Sequence, residues 1–152
     1  MEIVRRSPGH QATHRHEFYT NLRSGSFDEE NLKRFFYDRF YVFTYFENRF
    51  SHLIEGLRAQ YPTQLLLRSV PYFAELLHLT AEVGTILPSP AAEQYILALK
   101  ASSNDVALFH YLIHVAGEVF GAQVMANKIQ GKFPILGYEI QKLGDTPEQL
   151  PP

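Results

Sequence analysis

The sequence predicts an all-α protein, a multi-helix bundle formed as one domain over residues 1–152. Three observations carry that reading. Apolar residues recur at three- and four-residue spacing over several long stretches, as one face of a helix requires. No stretch alternates apolar and polar residues as a half-buried strand would. Helix-start residues (Ser-Pro twice, Asp-Glu-Glu once) and stop glycines punctuate the chain at element-length intervals. At 152 residues the chain can bury a core without staples, and its 45% hydrophobic and 20% charged content suits a globular domain. There is no repeat, low-complexity stretch or long linker.

Taken in order, the first helix starts at Ser7-Pro8, with Ser as N-cap and Pro at the first helical position, and stops at Gly25. His10, His14 and Phe18 share one face of it; His16 points elsewhere. The second helix begins at Asp28, where Glu29 and Glu30 suit the positive helix start, and runs to about Gln60. Phe36, Phe40, Phe43 and Glu47 form one stripe along it. Tyr37, Tyr41 and Phe50 widen its apolar surface, which predicts burial on two sides. Tyr61-Pro62 breaks the pattern, and a shorter helix runs from Pro71 to Gly84. Ser89-Pro90 opens the next one, through AAEQYILALKA. The longest follows, from Asn104 to Ile129. The tail, about 133–152, reads as irregular, with DTPEQLPP frayed or extended.

Several function classes are excluded. A net charge of -2 gives no electrostatic case for nucleic acid or an anionic membrane. No apolar run reaches the ~18 residues of a membrane span, and MEIVRRSPGH lacks the apolar region of a signal peptide. A cytoplasmic location is the expectation. The absence of Cys removes disulfides, thiolate metal sites and a cysteine nucleophile, and fits a reducing compartment. No phosphate-binding loop, nucleophile elbow or dinucleotide fingerprint is present, so hydrolase and nicotinamide-dehydrogenase readings have no support.

The candidate functional residues gather on the longest helix. His110, His114 and Glu118 recur every fourth residue, a spacing that suits a metal ion or a plain polar face. Gly117 and Gly121 sit one turn apart in the same helix, where each costs roughly 1 kcal/mol relative to Ala. Such a pair implies a close approach to the backbone or a bend. A titratable face beside an opened backbone suggests a helix lying over a flat or bulky ligand. His10 and His14 suit heme iron or another metal, or are surface histidines. The aromatic stripe of the second helix fits a porphyrin-sized pocket or simple core. Glu47 among those aromatics needs a partner, whether an Arg, a polar network or a metal.

Four pieces in order resemble the heme oxygenases over roughly Ser7 to Ile129. HQATHRHEFYTNLRSG is similar to the family's proximal-histidine helix, and YVFTYFE to its aromatic-rich second helix with a following glutamate. SPAAEQYILAL is similar to TPAxxxYxxxL, and GEVFGAQVM to the GDLSGGQVL signature. The resemblance implies a heme oxygenase-like bundle that binds heme as substrate and cofactor. Such a bundle opens heme with O2 and electrons from a reductase or ferredoxin, giving biliverdin, CO and iron. It implies His10 as proximal iron ligand, with His14 the competing candidate or neighbour. Gly117 and Gly121 would let the distal helix approach the heme face. Glu118 would stand for the aspartate that organises distal water, and Phe43 for an aromatic beside that water. His114 falls on an arginine-type position at the heme. Phe120 and Ala122 replace Ser and Gly of the signature, and Glu118 is one methylene longer than Asp. The family's further C-terminal helices, which supply cations to the heme propionates, have no counterpart; Arg5 and Arg6 are the substitutes at hand. Two alternatives follow. One is a heme-binding pseudoenzyme without catalysis. The other is a non-heme di-metal oxidase with Glu47, His110, His114 and Glu118 as ligands, completed by His52 or Glu75. An apolar flank left by the short C-terminus would favour a homo-oligomer.

Overall fold

The structure, a computed structural model, describes residues 17–61 and 63–143, the side chains of residues 17–19, 64, 65 and 120 excepted. All regular structure among the described residues is helical, as an all-α bundle requires. The helices are α1 (Glu17–Ser24), α2 (Glu29–Arg49), α3 (Ser51–Leu57), α4 (Thr63–Leu66), α5 (Ser69–Leu79), α6 (Pro90–Ala101), α7 (Asn104–Lys132) and α8 (Tyr138–Gln141). α2 packs along α5 and also touches α6 and α7, while α8 seals the gap between α5 and α7. The core between them is aromatic. Phe36, Phe43 and Phe46 of α2 meet Tyr72 of α5 and Tyr111 of α7. No helix among the described residues is long and apolar enough to cross a membrane.

Local chemistry sets most element ends where the sequence places them. Gly25 takes φ +77, and the Ser26 N–H donates to the Asn21 carbonyl at 2.8 Å, closing α1 with a left-handed turn that glycine adopts without strain. The predicted start of that helix at Ser7-Pro8, with His10 and His14, lies outside the described residues. Asp28 and Asn31 cap α2 reciprocally: the Asn31 N–H donates to the Asp28 carboxylate at 2.8 Å, and the Asp28 N–H to Asn31 Oδ1 at 3.1 Å. Ser89 accepts the Ala92 N–H at 3.2 Å, and Pro90 is the first residue of α6. Ser103 caps α7, which then runs uninterrupted for 29 residues, to Lys132 rather than Ile129.

Three further boundaries differ from expectation, each for a tertiary reason. The second helix does not continue to Gln60. It breaks at Phe50 (φ -107, ψ 26) between α2 and α3. There Arg49 donates to the carbonyls of Leu99 (2.6 Å) and Ser102 (2.9 Å), and the Phe50 ring stacks on Tyr111 at 6.1 Å. Those contacts turn the chain inward at a point the helical pattern does not mark. The helix expected over Pro71–Gly84 instead spans Ser69–Leu79. The Glu47 carboxylate accepts the Ser69 N–H at 2.9 Å, so an anion from α2 starts the helix two residues early. Pro71 still falls in the first turn, where no intrahelical N–H is required of it.

The tail is the third. Residues 133–143 are ordered into the core, with Leu136, Ile140 and Leu143 buried. Glu75 accepts the N–H groups of Gly137 (3.0 Å), Glu139 (3.0 Å) and Ile140 (3.3 Å), which fastens the start of α8 to α5. Gly137 has φ +91, and a side chain there would stand 3.0 Å from the Ala126 carbonyl oxygen, so the docking needs glycine. The stretch DTPEQLPP lies outside the described residues.

Candidate functional site

The inner side of α7 presents Glu118, 5% exposed, to the middle of the bundle. α2 sends Arg39 to it (Nη2 to Oε1, 2.5 Å), and the turn before α5 sends Arg68 (Nε to Oε2, 2.9 Å). The Tyr72 hydroxyl of α5 donates to Oε1 at 2.6 Å. Both carboxylate oxygens therefore accept charge-assisted or phenolic hydrogen bonds, the arrangement a buried anion needs. Arg68, fully buried, also donates to the Leu143 carbonyl at 2.9 Å, which ties the ordered tail to this centre. Arg39 lies over the Phe43 ring at 4.9 Å and the Tyr72 ring at 5.8 Å. The Tyr72 phenol is pushed well up, first by burial and then by the Glu118 carboxylate.

A second polar line leaves this centre toward the surface. Arg39 Nη1 lies 3.0 Å from His114 Nδ1, and His114 Nε2 lies 2.9 Å from the Tyr95 hydroxyl of α6. The same hydroxyl lies 3.0 Å from His110 Nδ1. Burial, then the positive charge of Arg39, then His110 hold the His114 pKa down at about 3, so its ring is neutral at pH 7. The Tyr95 phenol is pushed up to about 12 by burial, against a smaller opposing pull from Arg39.

The outer side of α7 is different. Ile113, Gly117, Gly121 and Val124 follow at four, four and three residues, and so lie along one face. All four are exposed, Ile113 by 52% and Val124 by 64%, and Phe109 beside them by 63%. Among the described residues, a methyl group built on either glycine would meet nothing within 4 Å. His110 and Lys128 stand on the same face, one on each side of the glycine pair, about 10 Å from the nearer glycine along the axis. Lys128 is the one Lys or Arg on this face of α7. By contrast Lys132, one turn on, donates to the backbone carbonyls of Gly25 (3.1 Å) and Phe27.

The structure brings together some expected site residues and separates others. Glu118 and His114 meet through Arg39, and His110 joins them through Tyr95. Phe43 is fully buried, 6.2 Å from Tyr72 and 6.1 Å from His114 between ring centroids, so it supports the network from beneath. His10 and His14 lie outside the described residues. The set expected for two metal ions does not converge. Glu47 holds the start of α5, Glu75 holds the tail, His52 is exposed, and both oxygens of Glu118 accept from arginines. No group of three or more His, Asp or Glu among the described residues is placed to hold a metal ion. Four residues of the centre were not anticipated: Arg39, Arg68, Tyr72 and Tyr95. Two of them carried a signal: Arg39, a charge amid the aromatic run of α2, because a buried Glu requires a cation, and Tyr95, the tyrosine of the segment similar to TPAxxxYxxxL.

In comparisons with known proteins, no family model, no curated protein and no solved structure matches this chain.

Proposed function

We propose that this protein binds heme against the outer glycine face of α7 and opens it with O2 and reductant, as a heme-degrading monooxygenase. The observation that carries the reading is the open space over Gly117 and Gly121. Two interior glycines weaken a helix by roughly 1 kcal/mol each. They have two usual uses within a protein, a break in the helix or close packing of another element. α7 is uninterrupted, and nothing among the described residues approaches either glycine. That open face suits a flat partner from outside, laid on an apolar floor of Ile113, Gly117, Gly121 and Val124.

A porphyrin fits that floor: its body is flat and apolar, and its edge carries carboxylates. Heme, when bound, would supply the iron chemistry toward O2, and His10, by the resemblance, would hold that iron. The floor keeps bulky side chains and water off one face of the ring. Electrons come from a reductase or ferredoxin.

A second reading, heme binding without turnover, is favoured by one feature. Glu118 is fully engaged by Arg39, Arg68 and Tyr72, so it is a brace and not a carboxylate turned toward a ligand.

The test is a hemin titration followed by absorption, on wild type, His10→Ala, Gly117→Leu and Gly121→Leu, then ascorbate in air. A saturable Soret band, weakened in all three variants and decaying to a biliverdin-like spectrum, is expected. A stable band without decay selects the second reading. No saturable band in the wild type overturns both.

A further inference from the structure

The four-membered line from Arg39 to His110 has a fixed direction. A guanidinium carries donors and no acceptor. The 3.0 Å contact of Arg39 Nη1 with His114 Nδ1 therefore requires that nitrogen to accept. His114, neutral at pH 7, must then carry its proton on Nε2 and donate it to the Tyr95 oxygen at 2.9 Å. That leaves the phenolic hydrogen of Tyr95 one acceptor in reach, His110 Nδ1 at 3.0 Å. With Nδ1 accepting, neutral His110 keeps its own proton on Nε2. That nitrogen forms no hydrogen bond with the described residues, and His110 is half-buried on the face that carries Gly117 two turns away.

We infer that Arg39, acting through His114 and Tyr95, fixes the tautomers of both histidines and makes His110 a hydrogen-bond donor at the rim of the glycine face. Its ligand is an acceptor oxygen, a carboxylate on the edge of a flat apolar molecule. The ligand half rests on the heme reading above; the tautomer half does not. The same logic removes His114 as a metal ligand through Nε2. Freeing that nitrogen would put the ring proton on Nδ1, against a guanidinium that cannot accept it. Arg39 is thus a positioning residue, and His110 the group that touches ligand.

Two measurements separate the halves. In ligand-free protein at pH 8, with 15N-labelled histidine, long-range proton–nitrogen correlation should show a single Nε2–H tautomer for His110 and for His114. Tyr95→Phe should leave His114 as it was and give His110 a mixture of tautomers. Arg39→Met should release both, and Tyr95→Phe serves as the conservative variant where Arg39→Met fails to fold. An Nδ1–H tautomer at either histidine in the wild type overturns the relay. So does a His114 that changes with Tyr95→Phe.

The second measurement is hemin affinity. His110→Leu should weaken binding about tenfold, the worth of one hydrogen bond to a charged acceptor. His110→Gln, which keeps an N–H donor, should recover most of it. Equal affinity of wild type and His110→Leu overturns the donor role. Failure of the wild type to bind hemin overturns the ligand half together with the heme reading, and the nitrogen spectra still decide the tautomers.

Discussion

Neighbouring residues of α7 face opposite worlds. Glu118 points into the bundle, where two arginines and a tyrosine take up both of its oxygens. Gly117, one residue earlier, lies on an exposed apolar face where none of the described residues would come within 4 Å of an added methyl. The inner face is closed: Ala107, Ala122, Ala126 and Ile129 are buried, and α8 packs over it, with Ile140 and the preceding Leu136 also buried. The outer face carries Phe109, Ile113 and Val124 into solvent, with Lys128 the lone Lys or Arg. The contrast separates two jobs that the sequence places on adjacent residues. The polar centre organises the fold and orients His114 and, through Tyr95, His110. The glycine face is left open among the described residues, and is the face we propose for a ligand.

Changes to the inner face should be the most damaging. Glu118→Ala leaves Arg39 and Arg68 without their shared carboxylate, and should cost about 3–5 kcal/mol of unfolding free energy in urea titrations. A cost below about 1 kcal/mol would show that the centre is not a brace. Ile140→Ala opens a cavity beneath the docked tail and should cost about 3 kcal/mol. If the loss is negligible, the tail does not close the inner face in solution.

Acid should act on the same side. His114 has a folded pKa of about 3, below its ordinary 6.5. Between those values the unfolded chain binds the extra proton. The stabilisation from keeping this ring neutral is therefore complete above pH 6.5 and is lost as pH falls toward 3. By pH 4 the loss should reach about 3 kcal/mol. Glu47 works in the opposite sense, since burial raises its pKa above the usual carboxylate value. Its stability contribution improves as pH falls through that raised value and returns part of the loss. Comparing urea midpoints at pH 7 and pH 4 for wild type and His114→Gln tests this. An unchanged pH dependence in the variant would remove His114 as the cause.

The outer face should respond least, and with the opposite sign. Gly117→Ala and Gly121→Ala place a methyl in open space on an α-helical backbone, so each should raise stability by about 0.5–1 kcal/mol. A thermal melt reads the gain. Destabilisation would mean that another part of the chain covers the glycines.

Much of the bundle was written in local pattern. Asp28, Ser89, Pro90 and Gly25 end their helices as their side chains and backbone preferences dictate, because capping is satisfied within four residues. The spacing of His110, His114, Gly117, Glu118 and Gly121 made α7 the focus, since a helix fixes which residues share a face. Spacing could not show that His114 and Glu118 drift inward while His110 and the glycines stay on the outer side. A four-residue repeat advances about 40° beyond a full turn at each step.

The rest needed the tertiary structure. The break at Phe50 comes from Arg49 reaching the carbonyls of Leu99 and Ser102, partners 50 residues away and more. The buried tail comes from Glu75 meeting N–H groups 62–65 residues on, at a glycine with φ +91. Arg39 and Arg68 became site residues because one buried carboxylate had to be neutralised by whatever cations the packing brought within reach. The sequence by itself determined the helices and the two faces of α7; only the packing decided which polar groups meet. Helical order is set by neighbours in the chain, and buried charge by neighbours in space.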